Sequence, residues 1–293
     1  MDNWFGVRIM YKLKNEWLED VNEKFGRDDI PHKQRPWLAW GEWSKYTGMA
    51  ISINDEIVKR IFSWFEKNTK AGSQLIGPLY TGAFYYDSCF WPIFVPIIYG
   101  NVQVNARDSL KTMPETILGR LWSDRNKLIE YIAVWADCFD YAFGFDDLLK
   151  SSTPVGFARD LLNSGDQQIN ATIALLLEQT PNPKAMESAR MACEMFLKAF
   201  LATKAGLTQR DAKNKIRHNL EKALKECLKV DPKSELLAIQ TDIKIFPDIG
   251  DRYKGTDKSL KELWSTYAIA QCAGTTVVRS LTGRDVRKKI KIN

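Results

Sequence analysis

The chain has 293 residues, of which 45% are hydrophobic and 27% are charged, and its net charge is +6. This length suffices for one large or two ordinary domains, and the balance of apolar and charged residues excludes a largely disordered chain. The five cysteines are widely separated and form no C-x-x-C pair, which excludes a disulfide framework and favours free thiols in a reducing compartment.

We expect a cytoplasmic protein that does not cross a membrane. The N-terminus, Met1-Asp2-Asn3-Trp4, lacks the basic-then-apolar order of a secretory signal. The strongest apolar run, Cys89 to Tyr99, contains two prolines and is too short to span a bilayer.

The first half of the chain mixes strand and helix signals. Trp4 to Leu13 and Ala50 to Ile53 resemble short strands, and Phe90 to Val104 is rich in aromatic and β-branched residues. Asn54 is a candidate N-cap for a helix with apolar residues at helical spacing from Ile57 to Phe65. These patterns predict a mixed α+β domain.

Two further helices follow in this half. Thr112-Met113-Pro114-Glu115 has the form of a capping box, which predicts a helix start there. A long helix is expected from Asp124 to about Phe143, ended by Gly144. Nine of the ten tryptophans also lie in this half. They are typical of a core, and the alternative is an aromatic cleft that binds a small ligand.

A change of composition near residue 152 predicts two domains, 1–152 and 153–293. The first half is slightly acidic, whereas the second half carries the basic excess and a single tryptophan, Trp264. The polar, proline-containing stretch Lys150 to Pro154 is suited to a linker. The expected fold class is therefore α+β overall, with a mixed N-terminal domain followed by an all-α helical bundle.

The second half reads as a series of helices. They are expected at Asp166–Gln179, Pro183–Lys204, Asn219–Val230, Ser234–Ile245 and Thr256 to about Leu281. Gly206 is expected to end the second of them. The last helix is apolar over most of its surface, so it belongs inside a bundle or at a subunit interface.

The chain has only two histidines, and His218 lies in its most informative stretch. Glu194 and Lys198 are four residues apart, so their side chains can meet on one helix face. His218 directly precedes Asn219, a good N-cap, and the positive end of the following helix disfavours an imidazolium there. Such a histidine is either a structural hub or a proton-transfer group.

This order of motifs resembles the HEPN family (higher eukaryotes and prokaryotes nucleotide-binding). The matching residues are Glu194-Met195-Phe196-Leu197-Lys198-Ala199, Gly206, Arg217-His218-Asn219-Leu220 and Leu224, then Arg252-Tyr253 and a closing helix through Trp264, Tyr267 and Ala270. The resemblance covers roughly Asp166 to Leu281, and it implies a bundle of four to five helices.

The resemblance implies one of two functions. One branch of the family consists of metal-independent ribonucleases, which carry an arginine, four to six intervening residues and then a histidine, at a homodimer cleft. The other branch lacks that arginine and consists of binding or partner modules. Here Arg210 leaves one residue too many before His218, Lys213 has the right spacing but the wrong side chain, and Arg217 would point away around a helix. His-Asn-Leu resembles the second branch.

We therefore expect a recognition or assembly role for RNA or a nucleotide, without a cofactor or a metal, in a homodimer or with a partner protein. The candidate binding residues are Glu194, Lys198, Arg217, Asn219, Arg252 and Tyr253. The alternative is a ribonuclease with His218 as base, helped by Arg210 or Lys213. Burial of His218 against Glu194 would favour the structural role, and two His218 side chains facing one cleft would favour the enzyme.

Two charged clusters leave further alternatives open. The basic C-terminus, with Arg284, Arg287, Lys288, Lys289 and Lys291, is either a solvated tail or a site for a polyanion. The second is a loose acidic cluster formed by Asp137, Asp140, Asp146 and Asp147. Such a cluster is typical of a solvated helix end, and a magnesium site is the less favoured alternative.

Overall fold

The computed structural model describes residues 12–48, 50–71, 77–98, 100, 102–247, 250 and 258–290. The chain divides into two compact units, residues 1–77 and 78–293. The division therefore lies earlier in the chain than the boundary predicted at 152/153, which falls between two helices of the second unit.

The first unit contains three helices, α1 (Asn15–Arg27), α2 (Arg35–Thr47) and α3 (Glu56–Asn68). Their apolar faces meet in a core of buried side chains, among them Leu18, Phe25, Trp43, Ile61 and Phe65. Trp17 packs edge-on against Trp43, with 4.8 Å between the ring centroids.

The strand-like pieces predicted in this unit are not found as strands where the structure describes them. Residues 50–53 lie in the connection between α2 and α3. A strand needs a neighbouring strand to pair with its backbone N–H and C=O groups, and without such a partner this segment leaves those groups to solvent. Most of the segment 4–13 lies outside the described residues. The cap of α3 is Asp55, not Asn54: its carboxylate accepts from the backbone N–H of Ile57 at 3.1 Å.

Aromatic residues also lie at the surface of this unit. Trp37 is exposed, Trp40 and Phe62 are half-buried, and the rings of Trp37 and Phe62 lie 4.8 Å apart. Binding of a small ligand by these aromatic residues stays a prediction.

The second unit combines a β-hairpin with a helical bundle. Its elements are β1 (Tyr80–Tyr86), β2 (Cys89–Val95), α4 (Glu115–Ser123), α5 (Arg125–Lys150), α6 (Phe157–Leu176), α7 (Ala185–Ala205), α8 (Gln209–Asp211), α9 (Leu220–Val230) and α10 (Leu260–Thr282). The strands are antiparallel, with Tyr80 opposite Val95. Asp87 and Ser88 between them both have positive φ angles, as the type I′ turn of a two-residue hairpin loop requires.

The hairpin belongs with the bundle because its buried face forms hydrogen bonds to α10. The Tyr80 hydroxyl donates to Gln271 Oε1 at 2.6 Å, and the backbone N–H of Ala83 donates to the Tyr267 hydroxyl at 3.0 Å. The amino-acid composition of the chain changes near residue 152, whereas the boundary between the two compact units lies at 77/78. This is why the compact units differ from the predicted domains.

Helices α6, α7 and α10 pack closely around Phe196 of α7. Glycines of α6 and α10 approach the two sides of its ring: a Cβ added at Gly165 or Gly274 would lie 2.6 or 2.7 Å from ring carbons. Gly144, predicted to end a helix, instead lies inside α5, where a Cβ would lie 2.3 Å from Val278 Cγ1. Glycine at these positions permits the close approach of helices rather than a turn.

Most helices of the second half are confirmed. Asn219 caps α9, and Gly206 ends α7 in the left-handed conformation. Residues 234–245 form two 3-10 turns rather than one helix. The capping box at Thr112 is wrong, since the N-cap of α4 is Pro114 without a side-chain hydrogen bond.

The apolar α10 lies against α5, α6, α7 and the hairpin, so its composition is explained within one chain. A homodimer stays a prediction. No helix in the described part of the chain is long and apolar enough to cross a bilayer.

Candidate functional site

Three charged side chains line one buried face of α7. Arg190, Glu194 and Lys198 follow one another at intervals of four residues, so they lie on successive turns. Glu194 is 1% exposed and accepts from Lys198 Nζ at 2.6 Å and from Arg190 Nη1 at 3.4 Å. Two cations around one carboxylate leave this cluster with a net positive charge.

His218 is the third partner of Glu194. Its Nδ1 lies 3.1 Å from Glu194 Oε1, yet 57% of the His218 side chain is exposed. A carboxylate flanked by two cations acts as an acceptor, so Nδ1 carries a proton and Nε2 is the ring nitrogen that faces outward. The histidine thus contacts Glu194, as a structural role predicts. It is not buried, however, and a structural role would also require burial.

The turn that carries His218 is built by local backbone rules. A π-helical turn, Ala212–Ile216, extends α8 and ends in the hydrogen bond from the Arg217 N–H to the Ala212 carbonyl. Arg217 then adopts φ 55° and ψ −126°, a conformation that costs a non-glycine residue about 1–3 kcal/mol. Asn219 Oδ1 accepts from the backbone N–H of Lys222 at 2.8 Å and starts α9.

Arg190 fixes this turn to the rest of the unit. Its Nη2 donates to the His218 carbonyl at 2.6 Å, and its Nε donates to the Pro247 carbonyl at 3.0 Å. Arg190 is 7% exposed, so these bonds are made away from bulk water and are stronger for it. One side chain thereby joins α7, the His218 turn and the segment that ends at Pro247.

His218 opens into a groove, called here the His218 groove. It is lined by Arg190, Arg217, His218, Asn219, Leu220, Glu221, Ile243, Lys244, Phe246, Pro247 and Gly250. Its volume of about 610 Å³ lies within the range typical of ligand sites. Arg217 and Lys244 are exposed, and within the described ranges no hydrogen bond or ion pair engages either side chain. Three lining cations face one lining carboxylate, Glu221, which makes the groove suited to an anion.

The structure brings together part of the predicted site. Glu194, Lys198 and His218 form one hydrogen-bonded cluster, and Arg217 and Asn219 line the groove beside it. Arg210 and Lys213 are exposed on the preceding helical turns and do not line the groove. Arg252 and Tyr253 lie outside the described residues.

The prediction that Arg217 points away from His218 is wrong. It assumed helical geometry through both residues, in which neighbours diverge by about 100°. The helix ends at Ile216, and the positive φ of Arg217 reverses the chain, so both side chains line the same groove.

Two residues of the site were missed at the sequence level. Arg190 completes a charged stripe at four-residue spacing in an otherwise apolar helix, a signal present in the sequence. Lys244 lies in a 3-10 turn about 26 residues beyond His218, and no local pattern connects the two.

The basic C-terminus and the acidic residues of α5 pair with each other. In the C-terminus, Arg284 pairs with Asp147, and Arg287 pairs with Glu235 and Asp285. Arg279 of α10 donates to Asp137 and Asp140 at 2.7 Å each. Burial raises the pKa of Asp137 to about 6 despite its arginine partner. The guanidinium groups of this terminus are therefore already engaged by carboxylates, which disfavours the polyanion-tail hypothesis.

Comparison with known proteins assigns no family. No protein-family model, curated protein or solved structure matches the chain. The resemblance to HEPN proteins thus rests on the residues quoted above and stays a prediction.

Proposed function

We propose that the His218 groove recognises a phosphate group of RNA or of a nucleotide, and that the protein acts in recognition or assembly rather than catalysis. The observation that carries the proposal is the exposed His218 imidazole, oriented by buried Glu194, in one groove with Arg217 and Lys244, two cations whose side chains engage no partner among the described residues. Such an arrangement presents two charged side chains to one anion, next to an imidazole ring that Glu194 holds in one orientation.

The apolar part of the groove favours a ligand larger than a bare phosphate. Leu220, Ile243 and Phe246 line it together with the ring of Pro247. Concave sites that combine an apolar wall with a few polar groups are typical of organic ligands, and a nucleoside phosphate has both parts. A homodimer that pairs two such grooves is an extension of this proposal.

Fluorescence anisotropy with a labelled single-stranded oligoribonucleotide tests it. We expect Arg217→Ala and Lys244→Ala each to weaken binding about tenfold, the loss that follows from one charged hydrogen bond. Each change should also lower the slope of log K against log salt by about 0.7. Lys261→Ala removes an exposed lysine of α10 outside the groove and should leave both quantities unchanged.

If the wild-type protein binds neither RNA nor nucleotides, or if Lys261→Ala weakens binding as much as the groove variants, recognition at this groove is refuted.

A second candidate function, metal-independent RNA cleavage, is favoured by the same pairing of Glu194 and His218. A base oriented by a carboxylate is the arrangement used in general acid–base catalysis. His218 Nε2 would accept the proton of a 2′-hydroxyl while the 2′-oxygen attacks the adjacent phosphorus. The bond to the 5′-oxygen breaks, this oxygen takes a proton from water, and a 2′,3′-cyclic phosphate remains. Arg217 and Lys244 would stabilise the negative charge on the phosphorus oxygens.

The two histidines offer a matched pair of variants for this candidate. His218→Ala should abolish cleavage of single-stranded and transfer RNAs without changing the fold. His32→Ala alters a ring in the first unit, where Nδ1 accepts from the Lys70 N–H, and should leave cleavage intact. Wild-type protein that leaves every RNA of the panel uncut would exclude the enzyme and leave recognition standing.

A further inference from the structure

The C-terminal segment, residues 283–290, is held against the bundle mainly by charge. Beyond α10, which ends at Thr282 and is capped by Gly283, Arg284 Nη2 donates to Asp147 Oδ1 at 3.0 Å, and the backbone N–H of Val286 donates to Asp140 Oδ1 at 2.8 Å. Val286 and Ile290 are only half-buried, and Arg287 to Lys289 are exposed. A segment with so little buried apolar surface docks weakly and can detach without unfolding the bundle.

Glu235 connects this segment to a loop of the bundle. Its carboxylate accepts from Arg279 Nη1 and from Arg287 Nη1, both at 2.9 Å, and also from Arg287 Nη2. Arg279 belongs to α10 and is 8% exposed, whereas Arg287 belongs to the C-terminal segment. The loop is thus attached through Glu235 to two parts of the unit: to Arg279 of helix α10, and to Arg287 of the C-terminal segment, which can detach.

The loop that begins at Glu235 forms one wall of the His218 groove. Leu236 and Ile239 are buried and anchor its first 3-10 turn. The second turn and the residues after it, 243–247, supply the groove wall that contains Lys244. The far end of the wall is bonded to Arg190, which also holds the His218 carbonyl.

We propose that the C-terminal segment regulates the His218 groove. With the segment docked, Arg287 and Arg279 together fix Glu235, and the wall at residues 243–247 is held in place beside His218. With the segment released, for example by an anion that pairs with Arg287, Glu235 retains one of its two arginines and the wall becomes mobile. The effect on ligand binding rests on the proposed function, but the effect on the wall does not.

Hydrogen exchange of the full-length protein, read by mass spectrometry, tests the coupling without any ligand. Arg287→Ala should speed exchange of amides in residues 235–247 by about fivefold, the ratio expected for losing one partly exposed charged pair. Lys288→Ala is the matched control, because Lys288 is 77% exposed and, within the described part of the chain, its one ion pair is with Asp285, at 3.5 Å. Residues 235–247 of this variant should exchange at the wild-type rate. Wild-type rates in residues 235–247 of Arg287→Ala, with faster exchange confined to 283–290, would overturn the proposal.

Glu235→Gln separates regulation from the simple loss of a cation. It weakens the same attachment but makes the protein more positive, so general electrostatic attraction predicts tighter binding of a single-stranded oligoribonucleotide. Regulation through the wall predicts weaker binding, again by about fivefold. Tighter or equal binding by Glu235→Gln would overturn the regulatory role. A wild-type protein that binds no RNA would refute the proposed function instead, and the exchange result would still decide the coupling.

Discussion

The buried carboxylate of Glu194 is the central group of the site, and Glu194→Gln tests its role. The change removes one negative charge from a position that is 1% exposed and contacts three nitrogen-bearing side chains. Lys198 and Arg190, whose side chains are 8% and 9% exposed, would keep their positive charges without a counter-charge.

The magnitude follows from the burial of the two cations. Breaking a buried ion pair by neutralising one partner costs about 3–5 kcal/mol, because the remaining charge cannot be hydrated. The glutamine oxygen still accepts one hydrogen bond, so we expect the lower end, about 3 kcal/mol. The matched control is Glu226→Gln in α9, where Glu226 pairs with Lys229 at 2.7 Å but is 35% exposed. There the cost should be about 0.5 kcal/mol or less.

Urea denaturation followed by circular dichroism measures both variants against the wild-type protein. A double variant, Glu194→Gln with Lys198→Met, should recover part of the loss because the stranded ammonium is gone. If Glu194→Gln costs no more than Glu226→Gln, the buried cluster does not stabilise the fold, and the account of His218 as a ring held by this carboxylate fails with it.

Three further predictions concern packing, pH and thiol reactivity. Gly274→Ala should cost about 1–3 kcal/mol, because its Cβ would lie 2.7 Å from the Phe196 ring. Gly119 is an exposed residue of α4 where a Cβ would meet no atom within 4 Å, so Gly119→Ala should stabilise the protein by up to about 1 kcal/mol. Equal effects of the two changes in thermal unfolding would contradict the packing argument. Burial raises the pKa of Asp137 from 3.8 to about 6. Between these two pH values the native state holds a proton on Asp137 that the unfolded state has lost. The contribution of Asp137 to the free energy of unfolding therefore falls as the pH rises from about 4 to 6. Asp137→Asn should therefore gain up to about 3 kcal/mol relative to wild type between pH 4 and 7, and a constant difference across denaturation curves at these pH values would disprove it. In the native protein a thiol reagent should modify exposed Cys89 rapidly and the three buried thiols only after unfolding; fast modification of all five would contradict the burial.

The helices of the second unit could be predicted from the sequence because their signals are local. Apolar residues at helical spacing, Asn219 as a cap and Gly206 in the left-handed conformation act within a few residues of themselves. The predicted capping box at Thr112 and the predicted helix end at Gly144 were wrong because both predictions rested on local signals alone. Thr112 lies outside a helix that starts after Pro114, and Gly144 serves the contact with Val278 on a distant helix.

The candidate site divides in the same way. The sequence by itself determined the stripe of Glu194 and Lys198 and the cap beside His218, since four-residue spacing and capping are properties of one helix. Only the tertiary structure decided that His218 bonds to Glu194, that Arg217 turns into the groove and that Lys244 faces it. These contacts join segments separated by many residues, and a positive φ at Arg217 redirects the chain between them. Side chains that meet across such distances are placed by the packing of whole helices, which no short pattern encodes.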